Sequence, residues 1–440
     1  MNNPNAAEPS LSAFPPEEYA ERVARARDAM RRDGLDAVLI STPENIYYLS
    51  GLDHMGYFAY QMLLLPLEGT PVLITRAMER ATLEHQVPDL RHVGYTDGAA
   101  PPAPLPEDVE HPDMVELEHD IPGNLFVEPL LDRHGQSGPR KLDADYSPPV
   151  EVTCRTLAEL GLGSGQLGLE MGGSFLSYRV ANGIQRGTPD ARWVDATGLV
   201  DQLRQVQSPR ELAYTRRAAI ISDAMLQAGI AAAGVDVHHS EIMAAIYDSM
   251  FRRGGTYPGF VPLVRSSANL LEEHGTWGDI QLADGDTLFL EMSGCYRRYH
   301  APMGRIVHIG EVPANAARAL EVCAAAQLAA QQAIRPGVMA GDVYAAWQDV
   351  LEREGIGTYR RHHCGYAIGI GYPPSWSGGG VPVGLRAGSE MRLRAGMVFH
   401  LMSWLLRSDY GDSFLSDTIV ITEDSAEMLT TTTRELLRRL

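Results

Sequence analysis

Cysteine is scarce: the 440 residues contain four, Cys154, Cys295, Cys323 and Cys364. They form no CxxC pair and no Cys/His metal spacing. That excludes a disulfide scaffold and fits free thiols in a reducing cytoplasm. Positive charge is also short. Lys and Arg number 37 against 56 Asp and Glu, a formal charge of −19. So acidic a chain is a poor partner for phosphate backbones, and no nucleic-acid partner is expected. No run approaches the roughly 18 apolar residues of a bilayer span, so no membrane partner is expected either. The N-terminus, MNNPNAAEPSLSAFPPEEY, lacks a basic region followed by an apolar one, which argues against a secretory signal. Apolar residues make up 45% and aromatics 7%, values of a soluble globular protein with length enough for two sizeable domains.

What the chain does have is one unusual stretch, Leu288 to Gly310, LFLEMSGCYRRYHAPMGRIVHIG. Thr287 to Met292 reads as an apolar strand interrupted by one acid, Glu291. Ser293-Gly294 reads as a turn, and Arg305 to Ile309 as a second strand. A lone acid in an apolar strand is costly to bury unless it is paired, protonated or put to use. Two readings stand level: a core carboxylate bonded to Arg297, Arg298 or Arg305, or a functional one.

Up to about residue 206 the chain alternates short strands and helices. Glu17 to Arg32 reads as an amphipathic helix ended by Gly34, followed by a strand at Asp36 to Ile40. Met62 to Leu65 and Val72 to Thr75 read as strands around a turn at Leu67 to Thr70. Residues 97–149, rich in Pro, Asp, Glu and Gly, read as an irregular acidic insertion. Helices at Val150 to Leu160 and Phe175 to Gln185 flank a strand at Gly165 to Met171. Ser208, Pro209 and Glu211 mark a helix start as N-cap, N1 and N3. That helix runs to about Ala233. Further helices are expected at Ser240 to Arg252, Ala314 to Ile334 and Ala340 to Glu354, and strands near Val398 to Leu401 and Thr418 to Thr422. Spacing alone gives α/β for the first part and α+β for the second.

Several of these segments resemble one family. The strand of Glu291, its Gly-Asp lead-in at Leu282 to Asp286 and the following Arg305 are similar to the metal-strand pair of the pita-bread enzymes: methionine aminopeptidase, prolidase, aminopeptidase P and creatinase. Asn45 to Gly51, NIYYLSG, resembles a segment of the creatinase-type N-terminal domain. Gln207 to Glu211 resembles the boundary before the catalytic domain. The resemblance implies an α/β creatinase-like N-terminal domain at 16–206 and an α+β pita-bread catalytic domain at 207–440. GCYRRYHAP at 294–302, GYAIGIGYPPSW at 365–376 and GMVFH at 396–400 look most like ectoine hydrolases, a metal-free branch. Dinuclear members hold two metals with Asp, Asp, His, Glu and Glu. In this register those positions are Glu291, Pro302, Tyr366, Met402 and Ser416, which make neither a hard-cation nor a zinc site. No catalytic metal and no other cofactor is expected. The His of the creatinase pattern falls on His274, but its glutamates fall near Gly304 and Leu415, so creatine is a doubtful substrate.

Without a metal-activated water another nucleophile is needed. The ectoine hydrolase resemblance implies opening of a cyclic amidine, whose cation pairs with a carboxylate and whose carbon is electrophilic. Glu291 is expected at the floor of the site, as nucleophile on that carbon or as base for water. His274 would activate water or carry the proton, and His300, Tyr366 and His400 would orient substrate. Arg305 would hold a substrate carboxylate or, equally, pair with an acid such as Asp417. Tyr372 or Trp376 would meet the cation in a contact of about 0.5–2 kcal/mol. The remaining histidines, His362 and His363 among them, are expected to be structural. As in creatinase-like homodimers, Tyr57 and Tyr60 would complete the neighbouring subunit's site. The leading expectation is a metal-independent, cytoplasmic, homodimeric hydrolase of a C–N bond in a small cyclic amidine or zwitterion, ectoine being the named substrate. Alternatives are a related amidine, guanidine or lactam, and a non-catalytic small-molecule binding protein on the same fold. A conventional metallopeptidase comes last. Leu52 to Met55, the acid-poor strand Ser413 to Asp417 and the acidic insertion depart from the ectoine hydrolase pattern.

Overall fold

The computed structural model describes residues 12–95, 149–357, 361–378 and 383–440. The expected acidic insertion lies outside them apart from Pro149, which opens a helix. The leading residues 1–11 and the glycines at 379 and 380 lie outside them too. The chain divides into two compact units, Met1–Leu199 and Val200–Leu440.

In the first unit α1 (Pro16–Asp33) ends where Gly34 takes φ +67°, a left-handed stop. β1 (Ala37–Ile40), β2 (Met62–Pro66), β3 (Val72–Arg76), β4 (Arg91–Tyr95), β5 (Gln166–Leu169) and β6 (Arg192–Asp195) form one sheet in the order β4-β3-β2-β1-β5-β6. β1 runs antiparallel to β2 and parallel to β5. The helices are α2 (Pro43–Ser50), α3 (Arg80–Gln86), α4 (Pro149–Glu159) and α5 (Tyr178–Gly187). α5 starts later than Phe175, because the side chain of Ser177 accepts the Val180 N–H and fixes the start there. The NIYYLSG run is α2. Buried Glu170 accepts the N–H groups of Ser41 and Thr42 at 2.9 and 3.0 Å and the Asn45 amide at 2.6 Å, anchoring the helix at its positive end.

The second unit opens on α6 (Pro209–Ala232) with the expected capping box: Ser208 Oγ accepts from Glu211 N at 3.3 Å, and Glu211 Oε2 accepts from Ser208 N at 2.8 Å. α7 (His239–Arg252) follows. Its sheet contains β7 (Leu263–Arg265), β8 (Thr287–Tyr296), β9 (Tyr299–Ile309), β10 (Gly365–Ala367), β11 (Gly384–Leu385), β12 (Val398–Ser408) and β13 (Gly411–Ile421), in the order β11-β10-β12-β13-β9-β8-β7. β14 (Ala426–Met428) joins β13, and β15 (Leu437–Arg439) joins β9. One face of the sheet lies under helices. Leu288, Leu290, Met292, Met303 and Val307 pack against Ile221, Met225, Ile242 and Ile246 of α6 and α7. Phe399, Leu401, Ile419 and Ile421 pack against Cys323 and Trp347 of α8 (Ala316–Ala333) and α9 (Ala340–Arg353). Each such buried side chain contributes about 1.5–3 kcal/mol. Strand alternation sends the intervening residues, Glu291 among them, to the opposite face.

Ser293-Gly294 is not a turn. β8 continues through both residues to Tyr296, and the hairpin turns at Arg297-Arg298, with φ +50° and +67°. Two positive φ values suit the tight twist of a two-residue hairpin, although Gly and Asn are the usual residues there. Arg298 is held by its surroundings: its guanidinium stacks 3.9 Å from the Tyr257 ring and donates to the Tyr257 carbonyl at 2.6 Å. Gly294 serves packing instead. A Cβ there would lie 2.5 Å from the Ala218 carbonyl and 2.9 Å from Ile221 Cβ, so glycine lets α6 approach the sheet. β12 and β13 are also much longer than expected. Buried Ser403, Ser413 and Ser416 break the apolar pattern by which strands are recognised.

Candidate active site

Glu291 sits mid-strand on β8, facing Leu263 of β7 on one side and Gly304 of β9 on the other. Gly304 in turn faces Ser416 of β13, and Ser416 faces Met402 of β12. These residues share the face that the helices leave uncovered, with Phe289, Ile306, Trp404 and Phe414 as its apolar walls. Glu291 is 8% exposed and accepts no hydrogen bond among the described residues. The satisfied-carboxylate reading therefore fails. Burial pushes its carboxyl up to about 7, against an opposing pull from Arg265.

Three side chains form a relay beside it. Trp376 Nε1 donates to Tyr366 Oη at 2.7 Å, and Tyr366 Oη meets His400 Nδ1 at 3.0 Å. His400 Nε2, buried and without a hydrogen-bond partner, faces Glu291 Oε1 at 3.8 Å. Trp can only donate, so the saturated arrangement has the Tyr366 O–H donating to His400 Nδ1 and the imidazole proton on Nε2, toward Glu291. Burial, with a smaller push from His363, lowers the His400 pKa to about 3, so the ring is a neutral donor. Burial, with the negative charge of Glu291 adding to it, raises the Tyr366 phenol, which keeps its proton. β10–β12 pairing sets this geometry by placing Tyr366 opposite His400.

The other expected residues fall elsewhere. His274 is exposed on the loop after β7, its ring 6.0 Å from Phe260, whose ring lies 5.2 Å from Trp376. It stands near the aromatic wall and makes no contact with Glu291. His300 is corrected to a structural role: Nε2 accepts from Gly259 N at 2.8 Å, and Nδ1 meets the Gly369 carbonyl at 3.3 Å. Of the two readings of Arg305, the pairing with Asp417 is the one the structure shows. Its side chain points to the helix-covered face, bonding Asp417 at 2.9 Å and the carbonyls of Ser416, Thr432 and Thr433. Tyr372 is buried with the Arg298 guanidinium 5.0 Å from its ring. In the first unit Tyr60 is a core residue, its hydroxyl 2.8 Å from Thr153 Oγ1, and Tyr57 packs edge-on to Phe175. The outward side chains of that segment are Met55, 52% exposed, and Phe58, 69% exposed.

Two residues of the site carried no sequence signal. Arg265 ends a short apolar run, as strand-end arginines commonly do, yet its charge acts on Glu291. His363, read as structural, packs edge-on to Tyr366 at 5.5 Å and has an unpartnered Nδ1.

The family's metal positions can be tested against this face. Strand pairing brings Glu291 and Ser416 to either side of Gly304 and sets Met402 opposite Ser416. One carboxylate, a proline, a phenol held in a relay, a thioether and a hydroxyl do not fit a dinuclear centre. Among the described residues no three His, Cys, Asp or Glu side chains are grouped to hold a metal ion.

Comparison with known proteins agrees with this architecture. Residues 213–423 match metallopeptidase family M24, and residues 22–120 match the creatinase/prolidase N-terminal domain. The second match runs into the stretch expected to be an insertion, so its first part is N-terminal domain sequence. The chain is 29% identical over 437 residues to an ectoine hydrolase of Halomonas elongata, covering 96% of this chain and 98% of that protein. It is 24% identical over 417 residues to an Xaa-Pro dipeptidase of Pyrococcus horikoshii, covering 95% and 99%. A solved Xaa-Pro dipeptidase from Bacillus anthracis superposes with a TM-score of 0.73 at 20% identity, over 96% and 99% of the two chains. The chain thus joins a creatinase-type N-terminal domain to a C-terminal domain with the pita-bread fold, each matching the corresponding family model.

Proposed function

We propose that this M24-type hydrolase opens a small cyclic amidine, with ectoine as the first candidate, and does so without a metal. The observation that carries the reading is Glu291: a buried, unbonded carboxylate alone among five positions whose other occupants cannot hold metals. An amidinium is the natural guest of such a carboxylate, and desolvation strengthens the pairing. The similarity to an ectoine hydrolase over nearly the whole chain supports the same choice.

In the first half, ionised Glu291 attacks the amidinium carbon. The C–O bond forms, the C=N electron pair moves to nitrogen, and one ring C–N bond breaks as that nitrogen leaves protonated. Water then attacks the Glu291-bound carbon and returns the carboxylate, giving an amide and an ammonium group from one amidinium and one water. In the alternative role Glu291 takes the proton of the attacking water and passes it to the leaving nitrogen. The His400 Nε2–H faces the carboxylate at 3.8 Å, outside hydrogen-bond distance but placed to follow it in either route, and Trp376 lies at the aromatic wall. His274, on the loop before β8, is the group that could reach water from the exposed side.

We place the reaction in a cytoplasmic homodimer, with Met55 and Phe58, more than Tyr57 and Tyr60, as the side chains the first unit offers to a neighbour. The test is ring opening of ectoine followed by NMR, beside Glu291→Gln. Turnover that disappears in the variant supports the reading. Absence of turnover in a folded parent chain, with turnover of another amidine or lactam, moves the substrate; activity retained in Glu291→Gln removes the mechanism.

A further inference from the structure

Arg265 closes β7 and is 3% exposed. Buried arginines are rare without a carboxylate in contact, since an uncompensated buried charge is costly. Arg265 has no carboxylate partner among the described residues. Its Nη1 donates to the Glu272 carbonyl, its Nε has no partner, and its guanidinium carbon lies 3.9 Å over the Phe289 ring. Phe289 belongs to the apolar wall of the Glu291 face. Register puts Arg265 there too: Leu263 pairs with Glu291 and Arg265 with Phe289. Arg265 is thus the diagonal neighbour of Glu291, a spacing of about 7–8 Å in an antiparallel sheet. The two are not in contact, but their charges interact, since Arg265 draws the Glu291 carboxyl down against the larger effect of burial.

We infer that Arg265 binds a carboxylate on the substrate, so that the site takes a compact zwitterion with its cation at Glu291 and its anion at Arg265. This rests on the cyclic-amidine reading above and narrows it. With Nη1 occupied by Glu272, the Nε edge of the planar guanidinium remains for an incoming carboxylate. A guanidine or lactam without an acid leaves Arg265 unpaired. This assigns to Arg265 the task expected of Arg305.

The test compares ectoine with its carboxamide, in which the negative charge is removed, as substrates of the parent chain, Arg265→Gln and Arg265→Lys. The parent should favour the carboxylate by about 10- to 100-fold, mostly in KM, as one charge-assisted hydrogen-bond pair provides. Arg265→Gln should bring the two substrates near parity, the comparison being made as a ratio at pH values above the Glu291 titration, because loss of the Arg265 charge lets that carboxyl rise further and slows both. Arg265→Lys, which keeps the charge without the fork and is the milder change for folding, should retain part of the preference. A preference that survives in Arg265→Gln, with both substrates slowed by the same factor, would overturn the anchor and leave the amidine reading standing. A folded parent chain that turns over neither compound nor any other cyclic amidine overturns the amidine reading, and the anchor with it; turnover only of an amidine that carries no acid overturns the anchor alone.

Discussion

At the scale of single residues, Glu291 sets two expectations. Its carboxyl, raised to about 7 by burial, must be ionised to attack carbon or take a proton. kcat/KM should therefore rise with pH and level off above about 7. A profile flat from about pH 5 to 9 would mean that another group limits the reaction. The same shift bears on stability. An unfolded glutamate ionises near 4.5, the folded one near 7, so between these values the folded chain holds the proton more tightly. Stability contributed by Glu291 is full below 4.5, declines as pH rises through the window and is lost above 7, a difference of about 3 kcal/mol. Glu291→Gln should then be inactive yet more stable than the parent by up to about 3 kcal/mol at about pH 8, and nearly equal to it at about pH 4. Denaturant unfolding at both pH values checks this; an equal difference at the two would show that burial does not hold the carboxyl up. Tyr366→Phe leaves Trp376 Nε1 and His400 Nδ1 without their shared partner. It should lower kcat by about 10- to 100-fold, one or two hydrogen bonds' worth, and steady-state kinetics reads it directly.

At the scale of elements, the Arg305–Asp417 pair between β9 and β13 separates a structural role from a substrate role. Arg305→Met leaves Asp417 short of its buried cation and should cost about 3–5 kcal/mol of stability. KM for the folded variant should stay at the parental value; a selective rise in KM at unchanged stability would restore Arg305 to the site. Which elements were legible follows from where their signals lie. The start of α6 was readable because Ser208, Pro209 and Glu211 act within one turn of helix. The β8–β9 turn was not, because Gly294 normally marks a turn and here makes room for Ala218 and Ile221, neighbours distant in sequence. β12 and β13 were cut short for a similar reason, since their buried serines look polar until the partner strand is known.

For the whole molecule, the fold was legible through motifs spread along the chain, and the site only in part. Glu291 announced itself as an acid in an apolar strand. Tyr366, Trp376 and His400 came from motif segments that the sheet does bring together. His300 and Tyr372 lay in motif segments of the same kind, but their polar groups or rings are engaged elsewhere, and residue type does not reveal that; Arg305 took the pairing with Asp417 that the sequence left level with a substrate role. Arg265 and His363 join the site through pairing across strands. The central claim, that one buried carboxylate does the work a metal centre does elsewhere on this fold, is tested most directly on one protein preparation at several metal contents. Ectoine opening and Xaa-Pro dipeptide cleavage are measured alongside elemental analysis, from chelator-stripped chain to chain incubated with manganese, cobalt or zinc. The expected result is ectoine opening at one rate across the series, with no dipeptide cleavage. Opening that is absent from stripped chain and returns in proportion to bound metal, or dipeptide cleavage on metal addition, would contradict it.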